Sequence, residues 1–449
     1  MMTPHSILAQ TRRGFQLVAG AGVLLVAASC SSILDVKNPN NIAEDALANP
    51  AAAGPEANGA LASLTRSLSF STLVYADATD EMDWIGSRDS WNELDKGAIG
   101  NFANEFADDQ FKYTAEARYV ADQAIVRLEG FDKAGTLASR ADLMRSYIYG
   151  AIIYSSIADQ YDDFAFSNKT VAAAPVGRAN MGRLYDTSVG YLDKALAIAT
   201  SNSDKYTILA LRARAKHGKG AWAKVTPKGT AAPANPLVND AGAVADATAA
   251  IALAAPDATV DLINNVEATA GTNIWYEVNG RNESAPGKVY VVDPTNANKY
   301  VAAIKDPISG TADPRMQARL TAFKAFGTTA GTLWITSTRE LRLILAEAAL
   351  ASGNTAEFTT QINTVRALDG KPAFAGQIAN QDMLVYERQI QLWLMRRRLI
   401  DMARFGIKDP KWTSNASYDN LFSSTGLLFP IANVERQANP CIADATKCK

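Results

Sequence analysis

The stretch Ser337–Gly370, STRELRLILAEAALASGNTAEFTTQINTVRALDG, spells out a helical hairpin. Ser337 followed by Glu340 is a capping box, in which the serine hydroxyl takes an orphan amide of the first turn. Leu341, Ile344, Leu345 and Ala348 then recur at three- and four-residue steps and make one apolar face. Gly353 stands where that helix must end, because a left-handed cap costs glycine nothing. A second helix is predicted from about Thr355, with Phe358, Ile362 and Val365 facing in. The whole is 34 residues, the length of a tetratricopeptide unit. The signature residues of that repeat are weak, so the pattern predicts its geometry only.

The same rhythm returns elsewhere in the chain. Tyr113, Ala117, Val120, Ala124 and Leu128 form a stripe over 111–130, and Leu143, Tyr147, Ala151, Tyr154 and Ile157 form another over 142–158. Val189, Leu192, Leu196 and Ala199 place a helix before the turn SNSD, and a further helix starts near Lys205, so 183–223 repeats the hairpin form. Two stretches, 55–110 and 255–335, are rich in Gly, Asn, Asp and Thr and read as long and non-helical, with GKVYVVD (Gly287–Asp293) alternating like a short strand. The predicted fold is therefore mainly α, a tetratricopeptide-like helical-hairpin scaffold with long loop-rich insertions and minor β, forming one domain over 42–449.

The beginning of the chain reads as an address. Arg12 and Arg13 precede about twelve mostly apolar residues from Leu17 to Ala28, within the ~7–15 of a signal segment and short of a membrane span. Residues 1–29 are read as a signal peptide. Ala27, Ala28 and Ser29 before Cys30 resemble a lipobox, although Ala27 stands where Leu or Val is preferred; an ordinary secretory signal is the alternative. Lipidation at Cys30 would make 30–41 a tether. TRRGFQL is also similar to a twin-arginine export signal. Cys441 and Cys448 are expected to pair in an oxidising compartment, two free thiols being the alternative.

Composition removes several function classes. Forty-four basic against forty-six acidic residues, with no sustained charge run, leave no electrostatic footprint for nucleic acid. The two histidines, His5 in the signal and His217, are too few for zinc-hydrolase patterns or most nucleophile–histidine systems, and no Walker or Rossmann glycine fingerprint occurs. No metal and no cofactor is expected, and His217 is read as structural.

The order of several segments resembles the SusD/RagB-like outer-membrane lipoproteins. LDVKNPN after Cys30, ADQYDDFAF (158–166), ADPRM (312–316), RELRLILAEAAL, INTVRAL, YERQIQLWLMRRRLIDMARFG (386–406) and LFPIANVERQANP (428–440) are each similar to a family element. The resemblance implies a non-enzymatic lipoprotein, anchored in the outer membrane and facing the surface, that binds a glycan or peptide nutrient and passes it to a TonB-dependent transporter. Two features depart from it: the ending CIADATKC, and SSILD after Cys30, which carries a single acid, Asp35, where surface-exported relatives show an acidic signal.

Most of these motifs read as scaffold. In 386–406, Arg397 and Asp401 stand four apart and are expected to pair across a helical turn. Arg396, Arg397 and Arg398 read as a solvated face or a carboxylate-pairing cluster, and Glu347, Asn363 and Arg366 as scaffold. Ligand contacts, by the resemblance, come from an early and a middle loop. In the first, Asp83, Trp84, Arg88, Trp91 and Asn92 combine aromatic platforms with polar partners for sugar hydroxyls; in the second, Asn273, Trp275, Tyr276 and Arg281 do the same. Two rival functions remain: a carboxylate-pair glycoside hydrolase using Asp80, Glu81 or Asp83, and a helical-repeat scaffold that binds only proteins.

Overall fold

The computed structural model describes residues 44–168, 171–225, 232–264, 273–287, 290–293, 296–328, 331–409, 411–412 and 428–448. The signal segment, Cys30 and the tether lie outside them. The chain divides into two compact units, Met1–Asn49 and Pro50–Lys449. The described part of the first contains a short helix, Glu44–Leu47.

The second unit begins with α1 (Ala53–Asp77), α2 (Asp89–Asp95), α3 (Glu105–Lys133), α4 (Arg140–Gln160), α5 (Arg183–Ile198), α6 (Asn202–Val225) and α7 (Ala241–Ile251). From α3 to α7 each helix packs on the next, and α1 closes against α3 and α4. These are stacked helical hairpins, and the fold is mainly α as the periodicities predict. Helix α8 (Pro314–Ala325) starts where the Asp313 side chain accepts from the Arg315 amide (2.9 Å). The hairpin α9 (Thr338–Ala351) and α10 (Thr355–Ala367) follows, with Ser337 Oγ accepting from the Glu340 amide and Gly353 at φ 76°. The Glu340 carboxylate does not turn back to complete the box. It enters the core, where Arg214 (2.6 Å) and Arg397 (3.3 Å) hold it.

The 55–110 stretch is not loop, since it contains all but the first two residues of α1 (Ala53–Asp77). That helix is buried on nearly all sides from Leu64 onward and is rich in Ser, Thr and Ala, so it shows no stripe. Its hydroxyls bond back within the helix, as Thr72 Oγ1 does to the Leu68 carbonyl (2.6 Å), and this lets polar residues sit inside. The 255–335 stretch carries α8 and most of the β structure. β1 (Met82–Trp84) pairs with β3 (Ser284–Pro286), β2 (Thr259–Asn264) with β6 (Gly331–Ser337), and β4 (Tyr290–Asp293) with β5 (Asn296–Ala302), all antiparallel.

The 386–406 segment, read as helical at Arg397–Asp401, is not one helix. Helix α11 (Asn380–Gln391) stops, and α12 (Arg398–Phe405) starts after a turn in which Leu394 (φ 59°) and Arg396 (φ 58°) are left-handed without being glycine. Such strain persists only where the surroundings over-determine it. Here they do: Trp393, Leu394 and Met395 are driven into the core, and all three arginines are buried. Arg397 meets Asp159 (2.8 Å), and Arg398 meets Asp80 (2.7 Å). Asp401 pairs with Arg388 (2.8 Å) and Arg404 (2.9 Å), not with Arg397 as the helical spacing suggested. Burial favours this, because a desolvated charge must find its counter-charge. Among the described residues Arg396 has hydroxyl and carbonyl hydrogen-bond partners, Thr72 (2.7 Å) and Trp334 (3.4 Å); burial, with Arg214 nearby, pulls its pKa down to about 9.

Glu347 sits at the centre of a second buried set. Arg404 and His217 (2.9 Å) bond its carboxylate, which also accepts the Val238 amide (2.8 Å). Burial alone would raise its pKa; the Arg404 and His217 interactions overcome that and hold it well below the usual range. Glu387 bridges Arg315 (2.7 Å) and Arg366 (2.8 Å) in a third. Glu347, Asn363 and Arg366 are scaffold, Asn363 by holding Phe374 through both backbone groups. A disulfide joins Cys441 and Cys448.

Candidate functional site

The β1–β3 ladder sets Asp83 opposite Ala285 and Trp84 opposite Ser284, and so draws the early and middle loops together. Beyond it, Glu283 accepts the amides of Ser87 (3.1 Å) and Arg88 (3.2 Å), residues 196 and 195 positions away. These amides lie at the start of α2, where a carboxylate is favoured by orphan N–H groups and the helix dipole. The approach is tight: a Cβ on Gly86 would lie 2.1 Å from Glu283 Oε2, which is why glycine stands there.

The middle loop then makes one π-helical turn, Tyr276–Gly280. It buries Glu277 completely between two guanidinium groups, Arg281 at 3.1 Å and Arg88 at 3.8 Å. Each guanidinium also lies over an aromatic ring, Arg88 4.3 Å from the Phe106 centroid and Arg281 5.1 Å from that of Tyr276. Arg88 further reaches Glu105 (3.1 Å). On the other side of the ladder, Lys411 joins Asp83 (2.7 Å) and Asp95 (2.9 Å). Burial would lower the lysine pKa, but the two carboxylates raise it.

Six of the nine residues expected to bind ligand keep part of their surface accessible. Arg281 is exposed, and Asp83, Trp84, Arg88, Asn92 and Tyr276 are half-buried, beside exposed Ile85 and Ser87. The other three are core. Trp91 is wholly buried and stacks on Phe106, with centroids 3.7 Å apart and planes at 14°. Trp275 is 1% exposed, wedged near Phe323 and Phe326 and against Gly331, where a Cβ would come within 2.3 Å of the indole. Asn273 is buried, its side-chain oxygen accepting from the Trp275 amide (2.8 Å). A tryptophan gains most by removing its full apolar area from water, and here the helical core offered the space.

Sequence reasoning missed Glu277, Glu283 and Phe106. The Glu277–Arg281 spacing of four was a readable signal; nothing local marks Glu283, whose partners are distant in the chain. Two of the three carboxylates of the hydrolase reading have structural partners in the core, and the third, Asp83, is paired with Lys411. Asp80 is bound by Arg398 (2.7 Å), and Glu81 is buried and accepts the Leu394 amide (2.7 Å). Burial pushes the Glu81 pKa up to about 8. Among the described residues no group of three His, Cys, Asp or Glu side chains could hold a metal ion, and no helix is long and apolar enough to cross a membrane.

The architecture defines a class: helical hairpins carrying a loop-built face. No family model matches the sequence, and no curated protein does. Solved structures do match the fold. A SusD superfamily protein from Bacteroides thetaiotaomicron superposes with a TM-score of 0.59 at 12% identity, covering 86% of this chain and 98% of its own. A SusD homolog from the same organism gives 0.58 at 14% identity, over 89% and 98%. A SusD-like carbohydrate binding protein from Bacteroides vulgatus gives 0.54 at 12% identity, over 88% and 97%. The chain has the fold of the SusD superfamily over most of its length.

Proposed function

We propose that this chain is a SusD/RagB-type binding protein that captures a glycan on the face built by residues 83–92 and 276–281. It acts without catalysis, is held at the outer membrane through lipidated Cys30, and passes its cargo to a TonB-dependent transporter. The observation that carries the reading is the joining of two distant loops by the β1–β3 ladder. The joined face carries half-buried Trp84 and Tyr276, with the guanidinium groups of Arg88 and Arg281 beside them. Indole and phenol faces suit the C–H faces of sugar rings, and guanidinium N–H groups suit hydroxyls. The SusD-superfamily fold supports it, as does the name of the carbohydrate-binding relative from B. vulgatus.

The test is a binding screen of the chain against neutral oligosaccharides and peptides, with Trp84→Ala and Tyr276→Ala beside it. Saturable glycan binding that weakens about tenfold or more in both variants, with unchanged circular dichroism, supports the reading. Peptide binding alone changes the cargo. Silence towards both classes leaves a scaffold for proteins.

A further inference from the structure

A second concavity, of about 510 Å³, lies between α8 and the β2–β6 ribbon, within the ~300–1,000 Å³ that ligand clefts occupy. It shares no residue with the loop face. Helix α8 buries Met316, Leu320 and Phe323 and turns the adjacent stripe, Arg315, Ala318, Arg319 and Ala322, towards the cleft. The two alanines leave the room. Across from them, strand alternation sends Leu333 and Ile335 into the core and brings Trp334 and Thr336 to the cleft wall.

We propose that this cleft is a second carbohydrate-binding site, which takes a short neutral oligosaccharide stacked on Trp334. Three features fit that ligand class. Trp334 is half-buried and fixed from behind, with Trp393 at 6.3 Å between ring centroids and an Arg396 N–H on its carbonyl. Asp261 is its direct cross-strand neighbour, so a carboxylate stands beside the indole on one face, as a sugar with adjacent hydroxyls requires. Asp261 accepts from the Thr259 hydroxyl (2.7 Å) and has no cationic partner among the described residues.

The rest of the lining is charged but balanced. Asp257, Asp261 and Asp369 face Arg315, Arg319 and Arg339. Arg339 already holds Asp257 (2.5 Å) and Asp369 (2.6 Å), and the Gln391 side-chain oxygen accepts from Arg339 (3.2 Å) and Arg319 (3.3 Å). An anion would meet two guanidinium groups already held by carboxylates, Arg315 by Asp313 and Glu387 and Arg339 by Asp257 and Asp369, and a third, Arg319, whose N–H groups are engaged by the Gln391 oxygens. A neutral polyhydroxylated ring meets a rigid floor of donors and acceptors that costs little to order. The ligand class rests on the glycan reading above; the place does not.

The experiment is calorimetric titration of the full chain with maltoheptaose, cellohexaose and mannohexaose, and with an anionic oligogalacturonate. Ala318→Trp fills the cleft from an exposed helix position without removing any contact, and Trp334→Ala removes the platform. Tyr276→Ala reports on the loop face. The wild type is expected to show two classes of site for at least one neutral sugar. Ala318→Trp and Trp334→Ala should each abolish one class or weaken it about tenfold, while Tyr276→Ala leaves that class intact. If Trp334→Ala fails to fold, Ala318→Trp still reads the cleft. Titrations in which Ala318→Trp matches the wild type, in which no neutral sugar binds, or in which the anionic sugar is preferred at the cleft overturn the proposal. Loss in Tyr276→Ala alone would sink the cleft and keep the loop face; loss in Ala318→Trp alone would do the reverse.

Discussion

Two regions of this protein are built from arginines, carboxylates and aromatic rings, and they do opposite work. In the knot around 392–404, Arg397, Arg398 and Arg404 are buried and held by Asp159, Glu340, Asp80, Asp401 and Glu347. On the loop face, Arg88 and Arg281 share one buried carboxylate, Glu277, at 3.8 and 3.1 Å, and keep about a third of their side-chain surface in water. The same chemistry is committed in one place and available in the other. The difference is burial: a sealed ion network is costly to open, whereas a half-solvated guanidinium exchanges partners cheaply. Residue type therefore does not mark the site; accessibility does.

The largest effect should come from opening the knot. Glu347→Ala removes one of the two carboxylates on buried Arg404 and leaves that guanidinium, with Arg388 and His217 close by, to share Asp401; it is expected to cost about 3–5 kcal/mol, read as a lower denaturant midpoint. Removing a cation from the exposed face should not approach that cost.

A pH scan sharpens the contrast between knot and loop. Glu81 has a folded-state pKa of about 8, raised by burial from an ordinary 4.5, so folding takes up a proton between those values. Its contribution is complete below pH 4.5 and is lost as pH rises towards and past 8, with a slope of at most about 1.4 kcal/mol per unit. Glu340 runs the other way. Burial would raise it, but Arg214 and Arg397 depress it to about 2, so its contribution is present above 4.5 and lost as pH falls to 2. Glu81→Gln keeps an oxygen for the Leu394 amide and should flatten the alkaline limb only. An unchanged slope from pH 5 to 8 would show that Glu81 ionises freely in the fold.

Next in size is Gly331→Ala. Its methyl group must displace the Trp275 indole, and a loss of about 1–3 kcal/mol in chemical denaturation is expected. No loss would place Trp275 in a looser setting than the core, closer to its expected ligand role. The smallest stability effect is that of Arg281→Ala: the guanidinium is exposed, and its buried partner Glu277 keeps Arg88 at 3.8 Å, so the thermal midpoint should fall by less than in Glu347→Ala or Gly331→Ala.

Much of the fold was legible because amphipathic helices announce themselves. The stripes over 111–130, 142–158 and 337–365 face the core as read, and Ser337 and Gly353 cap as read. Helix α1 escaped because it is surrounded and needs no stripe. The break at Leu394–Arg396 escaped because no glycine or proline marks it; carboxylates drawn from Asp80, Asp159 and Glu340 impose it from a distance. The loop face was half legible. Its two segments could be chosen by composition, but nothing local says that Trp91 and Trp275 turn inward while Trp84 and Tyr276 stay half out. Trp334 lay inside a strand whose pattern gave no hint of the cleft beside it.

The most direct test of the division between knot and face is a paired measurement on Arg281→Ala and Arg397→Ala. Oligosaccharide affinity and the denaturant midpoint would be determined for both. A crossed result is expected: Arg281→Ala loses affinity with only a small fall in midpoint, because Arg88 still faces Glu277, and Arg397→Ala loses several kcal/mol of stability while its remaining folded fraction still binds. Full affinity in Arg281→Ala, or equal stability loss in the two variants, would contradict it.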